Sequence, residues 1–484
     1  MRKILLASAA ILGATGGIAF AQSNPNQGQV VAPWAAGPAA NNNNNALGRA
    51  APGATAVPTP GTVVIRFNGR VQADVTAGWD TGDRPTGSPN KLNPIGISSY
   101  MRLYPGIDGM ATNGLRYGAS IELRENFPSS SATAGQTTPT LATAPGPSTY
   151  SSGQTVFVRR AFTYIGSDQM GIIRLGQTDG VIGLFDGGVF TSATWEAGVG
   201  NFNGGTAQVN GANAGSSVPF AWLSQAGAEY SNSKIVYLTP QFAGFDFGVQ
   251  YAPSMGNGNG SCAANTVAAG FGCNGISTGA DSSRWINQVA AGVRYQGTFG
   301  AVAVKAMAVY ETAGKESVAG NGVLATGAGT FATATTSAVR YDNLSFVNAA
   351  AAISVAGFTF AADYIGGALN GQLAMRPTGG APENAVVTGV TYQNGPWIFG
   401  LEAAWVDSQG STQLTKVTQR HEWEIAFGGT YTIAPGMALV GEFMHTERHQ
   451  GGFDFSTNAV GATAGGGTRN GQANKLLVST VVTW

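Results

Sequence analysis

The chain is short of charge. Lys, Arg, Asp and Glu make up 10% of its residues, against about 25% in an ordinary soluble domain. So few charges cannot cover a large water-exposed surface. The 25 basic and 25 acidic residues also cancel, leaving no strong field to hold nucleic acid or an anionic membrane. Histidine is scarce, with three residues, and cysteine scarcer, with Cys262 and Cys273 alone. That excludes a disulfide-dense scaffold. In an exported chain this pair reads as a local disulfide closing a Gly/Asn/Ala-rich loop. A metal site would need further ligands, and no His lies near. Long apolar runs are missing too. The best candidate, residues 349–362, is interrupted by Gly357 and ended by Asp363, short of the ~20 residues a spanning helix needs. If the mature chain enters a membrane it must do so as a closed barrel, because an open sheet edge cannot be satisfied in lipid.

Glycine and alternation are what the chain has. Gly accounts for 72 of 484 residues, well above the usual ~7%. Residues 63–79 read VVIRFNGRVQADVTAGW. Val63, Ile65, Phe67, Val71, Val75 and Trp79 fall on one face; Arg66, Asn68, Arg70, Gln72, Asp74 and Thr76 fall on the other. Period 2 held over this length marks a strand with one apolar and one polar face. Strands in globular proteins usually run about 5–6 residues, and one this long fits a membrane-crossing strand.

The N-terminus carries a basic pair, Arg2 and Lys3, an apolar run over 4–12 and Ala19-Phe20-Ala21. This predicts a signal peptide over residues 1–21, with the mature chain beginning at Gln22. Residues 22–62, with five Asn in a row at 41–45, lack apolar periodicity and read as a disordered leader. From 63 to 484 alternating segments recur, joined by short turns at one end and long loops at the other. The pattern predicts about sixteen strands in an antiparallel transmembrane β-barrel, with fourteen and eighteen the neighbouring even counts. The fifth strand (172–177) is short, and an Ala run blurs the tenth (344–356). The last strand, 475–484, alternates to a terminal Trp484 and is placed to pair with the first, removing both sheet edges.

Several segments resemble the Gram-negative general porin family, of alphaproteobacterial type: Arg160-Ala161-Phe162, GIIRLGQ at 171–177, SKIVYLTPQFAGFDF at 233–247, YTIAPGMAL at 431–439 and the aromatic-ended last strand. The resemblance implies an outer-membrane location, contact with outer-membrane lipids, a homotrimer, and a third external loop folded into the barrel as a constriction. The corresponding segment is 179–229, with Asp179, Asp186 and Glu196 in its first half. Facing it are polar-face Arg66, Arg70, Arg102, Arg116 and Arg124. Acid on the loop and base on the wall would set a transverse field across an eyelet. The competing reading pairs these arginines locally with Asp74, Asp108 and Glu122 for barrel packing. Arg159 and Arg160 are adjacent and so point to opposite faces, which leaves one of them without an obvious polar side.

Other signals are weak. GISTG at 275–279 matches a nucleophile-elbow pattern but sits in a flexible loop. His445, Glu447 and His449 could ligate a metal, but read as solvated on an external loop. His421 opens the fourteenth strand with no Ser partner singled out. Tyr100 and Tyr104 could stack sugars or fill the lumen. The reading is an outer-membrane porin passing ions and small hydrophilic solutes by passive diffusion, not an enzyme, with no cofactor. A substrate-selective porin for sugars or organic anions is the first alternative, and an outer-membrane barrel enzyme the second.

Overall fold

The structure, a computed structural model, describes residues 58–81, 83, 91, 94–126, 155–167, 169–185, 232–254, 285–315, 322–323, 338–339, 341–370, 375–410, 418–455, 459–460 and 468–484. Within them sixteen strands close into one barrel. They are β1 (Thr62–Asp80), β2 (Ile95–Met110), β3 (Arg116–Asn126), β4 (Thr155–Ser167), β5 (Gly171–Gln177), β6 (Ser233–Leu238), β7 (Phe245–Ser254) and β8 (Trp285–Phe299). Then follow β9 (Val302–Lys315), β10 (Leu344–Val355), β11 (Phe358–Ala368), β12 (Glu383–Asn394), β13 (Trp397–Ser408), β14 (Arg420–Ala434), β15 (Met437–Gln450) and β16 (Gly471–Thr483). Each strand pairs antiparallel with its neighbour, and β16 returns to β1 from Arg70↔Thr483 to Asp80↔Ala473. Closure leaves the wall without a free sheet edge, which lipid could not satisfy. Among the described residues no helix is long and apolar enough to cross a membrane.

Alternation places the chemistry. On β1, Ile65 is 80% exposed while its neighbour Arg66 is 5% exposed. Arg66, Asn68, Arg70, Gln72 and Asp74 are buried inside; Val63, Phe67, Val71 and Val75 stand outside. The sense is inverted relative to a soluble protein: the apolar side chains cover the exterior and the charges line the lumen, as a lipid-embedded barrel requires. The blurred tenth strand keeps the same period, with Leu344, Phe346, Asn348, Ala350 and Ala352 all buried.

The short turns follow local backbone chemistry. Ala356 and Gly357, between β10 and β11, both take positive φ, at 50° and 84°. This is the type I′ pattern, whose twist matches the flanking strands. At the seam Trp484 and Gly69 exchange two backbone hydrogen bonds, at 3.1 and 3.2 Å. A Cβ on Gly69 would lie 2.2 Å from the Trp484 ring, so the bare backbone of β1 lets that indole lie flat across the junction.

Three findings differ in detail from the sequence pattern. First, Arg160 is turned inward by a bulge: the β3–β4 register shifts between Glu122 and Leu123, with Arg160 opposite Glu122 and Val158 opposite Leu123. One extra residue on β4 reverses the parity, so Val158 and Ala161 are both exposed and Arg160 faces inward. Secondly, β15 runs on to Gln450. His445, Glu447 and His449 therefore lie on a strand rather than in a loop. Thirdly, two small sheets form within long connections: Gly322–Val323 with Ala338–Val339, and Phe453–Asp454 with Ala459–Val460.

Candidate functional site in the barrel lumen

After β5 the chain turns inward. Thr178, Asp179 and Gly180 are buried, and a short helix α1 (Val181–Phe185) has all five residues buried. It lies on the lumen face of β7 and β8. Val181 donates its N–H to Gln250 Oε1 at 2.5 Å. Arg294 on β8 binds Asp246 Oδ2 at 2.5 Å and donates to the carbonyl of Leu184 at 3.2 Å, and its guanidinium stacks 4.9 Å from the Phe185 ring. Gly248 lies directly beneath. A Cβ there would sit 2.9 Å from Val181 Cγ1 and 3.0 Å from Phe185 Cζ. Val181, Ile182, Leu184 and Phe185 join the lumenal side chains of β4 to β13 in one apolar cluster, so the inward chain is packed rather than suspended.

Asp179 anchors the root of this segment. Its carboxylate is 3.0 Å from Arg160 Nη2, and Arg160 Nε is 3.2 Å from Glu122. Arg174 is buried beside them, its guanidinium 5.2 Å from the Phe162 ring. Asp186 and Glu196, the other two acids expected on the loop, lie outside the described residues, as do Cys262, Cys273 and residues 275–279.

The five expected wall arginines divide. Arg66 pairs with Asp108, which also accepts from Tyr164. That matches the local-pairing alternative. Arg70 donates to Gln72, whose amide donates to Asp74 at 2.7 Å, a chain along one strand face. Strand register adds a relation the sequence does not display. Arg70 lies opposite Arg102, and Arg102 opposite Arg124, on one rung across β1, β2 and β3. Like charges directly opposed in a sheet are destabilising, so Arg70 facing Arg102, both buried, is a feature that packing alone would not select. Arg116 sits apart, opposite Met110 at the turn end of β3. Arg102 and Tyr104 are both buried on the lumen side.

A further sector of the lumen is acidic. Glu383, Glu402, Glu422, Glu424 and Glu442 are buried on β12 to β15. In a sixteen-stranded ring, half the circumference separates β4, β5 and β6 from β12, β13 and β14. Arg160, Arg174 and Lys234 thus stand across from Glu383, Glu402 and Glu424. These glutamates were not singled out from sequence, although each occupies the polar phase of its strand. Glu422 pairs with Arg448. On the outer face, His445 Nε2 lies 3.5 Å from Glu447, His449 Nδ1 lies 2.7 Å from Asn470, and His421 lies 2.5 Å from Asp407. Among the described residues no three His, Cys, Asp or Glu side chains converge as metal ligands.

A closed barrel with an apolar exterior, a charged interior and chain folded into the bore is an outer-membrane channel. The Gram-negative porin profile matches residues 7–451, and the chain belongs to that family. Similar solved structures include the anion-selective porin from Comamonas acidovorans, at 14% identity over 87% of this chain and 100% of that one, TM-score 0.49. The outer-membrane channel DcaP of Acinetobacter baumannii is similar at 12% identity over 89% and 100%, TM-score 0.47. A variant of the Rh. blastica porin is similar at 11% identity over 87% and 100%, TM-score 0.44. No curated protein matches.

Proposed function

We propose that this outer-membrane porin is a general diffusion channel, passing ions and small hydrophilic solutes passively and performing no chemistry. The observation that carries the reading is the Arg70–Arg102–Arg124 rung. Cations of Arg70 and Arg102 on one wall, with the buried acids Glu311 on β9 and Asp363 on β11 half the circumference away, make a field across the pore rather than along it. Such a field orients dipolar solutes and weights the passage of ions by sign. The inward segment Asp179–Phe185 packs on β7 and β8 and narrows the bore, and Asp186 and Glu196 would supply its acidic side, on the family resemblance. Arg66 and Arg116 belong to the same basic wall as supporting charges. Residues 1–21 direct export, residues 22–62 form a leader, and the barrel assembles as a homotrimer, on the family resemblance.

The test is the reversal potential under a KCl gradient in planar bilayers. Arg70→Gln with Arg102→Gln and Arg124→Gln should move selectivity toward cations. Asp186→Asn with Glu196→Gln should move it toward anions. An unchanged reversal potential in both variants refutes the eyelet.

A further inference from the structure

We propose that Glu402, Glu424 and Lys475 form a lumenal binding site for a small zwitterionic solute bearing a primary ammonium and a carboxylate, the ordinary charge state of an amino acid. The proposal rests on the channel reading, since the solute must enter the bore.

Register assembles the site. Glu402, Ala426, Met444 and Lys475 share one rung across β13, β14, β15 and β16. The next rung outward holds Ala404, Glu424, Thr446 and Ala473, continuing to Asp80 on β1. All of these strand positions face the lumen, and small residues stand beside each charged one. Ala404 and Ala426 flank the two glutamates; Ala473 stands next to Lys475 along its strand face.

The polar groups here are incomplete. Both carboxylate oxygens of Glu402 and of Glu424, the Nζ of Lys475 and the Oγ1 of Thr446 have no hydrogen-bond partner among the described residues. Yet Glu402 is 2% exposed, Glu424 1%, Thr446 0% and Lys475 7%. A buried charge without hydrogen bonds is costly and is ordinarily met by a partner. Glu402 and Glu424 are close enough to repel, and Lys475 acts electrostatically on Glu424. Asp80 is the other carboxylate acting on Lys475, and Glu442 lies on β15 one rung inward, opposite Gly428.

The spacing selects the ligand. Strands lie about 4.8 Å apart, so Lys475 and Glu402 stand about 14 Å apart at the backbone on a flat sheet. Long side chains from both ends close part of that gap, which sets the ligand's length at that of a small molecule. A bare divalent ion is disfavoured, because the carboxylates do not converge as a metal-ligand group and such ions take six or more oxygens. An ammonium donates three hydrogen bonds, matching the two adjacent carboxylates and the Thr446 hydroxyl. The ammonium of Lys475 repels a second cation and receives the solute carboxylate.

The experiment uses the full chain in planar bilayers at fixed KCl, with glycine, ethylammonium and acetate titrated separately. Glycine should interrupt single-channel current at lower concentration than either fragment. Glu402→Gln with Glu424→Gln should raise its half-blocking concentration by about tenfold or more, the scale of a lost charge-assisted hydrogen bond. Lys475→Met should weaken block by glycine and not by ethylammonium. Equal half-block in wild type and the double glutamine variant overturns the site. Block by ethylammonium as strong as by glycine overturns the zwitterion. A wild-type chain that carries no current refutes the channel reading instead, and glycine calorimetry on the folded wild-type barrel then decides the site: no heat overturns it. Should the double variant fail to fold, the single glutamine variants carry the same comparison.

Discussion

Arg294 is the place to break the inward chain without touching the eyelet residues. Its guanidinium makes a two-point contact with Asp246, a hydrogen bond to the Leu184 carbonyl and a stack on Phe185. Arg294→Met keeps a long apolar stem and removes all three. The pair with Asp246 joins two wall strands, β7 and β8; the contacts that reach α1 are the charge-assisted hydrogen bond to Leu184, worth about 1.5–3 kcal/mol, and the stack on Phe185, worth about 0.5–2 kcal/mol. The barrel wall has its own full ladder of backbone bonds between β7 and β8, so the loss falls mainly on the attachment of α1. A change of 3 kcal/mol raises the detached population by roughly a hundredfold. Single-channel recording should show frequent brief transitions in Arg294→Met that wild type lacks. Adding Asp246→Leu should recover the stability lost from the wall, because removing both members of a buried pair is close to neutral, and should leave the transitions, because the contacts to α1 stay missing. Transitions no more frequent in Arg294→Met than in wild type would refute the clamp. Loss of the transitions in the double variant would refute the assignment of the clamp to these two contacts.

Other expectations follow from the same geometry. Arg160→Gln leaves Glu122 and Asp179 without their shared cation and should lower stability by about 3–5 kcal/mol in urea unfolding. Gly69→Leu should slow barrel folding in detergent, because its side chain meets the Trp484 ring across the closing seam; a folding rate equal to wild type counts against that contact. Val249→Lys, in the middle of β7 and exposed on the outer face, puts a charge on the lipid face and should cost about 2–4 kcal/mol in bilayers, with a much smaller cost in detergent micelles.

The strand pattern was readable because an outer-membrane wall obeys one simple rule, apolar out and polar in, which β1 states in full. Closure was readable from the alternation of the last strand. Arg160 was not, because its inward direction depends on an extra residue in β4 that acts only against its partner strand. The arginine rung and the glutamate sector escaped for a related reason. Arg102 and Arg124 are far from Arg70 in sequence, and nothing in any one strand says which residue will lie opposite it. His445, Glu447 and His449 read as loop residues because polar residues on the outer face near a rim resemble them. Pairing with β16 as far as Arg448↔Gly471 shows instead that the strand continues past them.

Gly248 makes the bore adjustable from a position no solute reaches. The helix α1 rests on this strand where a side chain is absent, and Val181, Leu238 and Phe185 all crowd the space a Cβ would take. Each carbon added there would push α1 toward the pore axis. The calibre of the channel is therefore written partly in the wall behind its constriction, where a lineage could retune molecular sieving by single methyl groups and leave every charge that meets the solute unchanged.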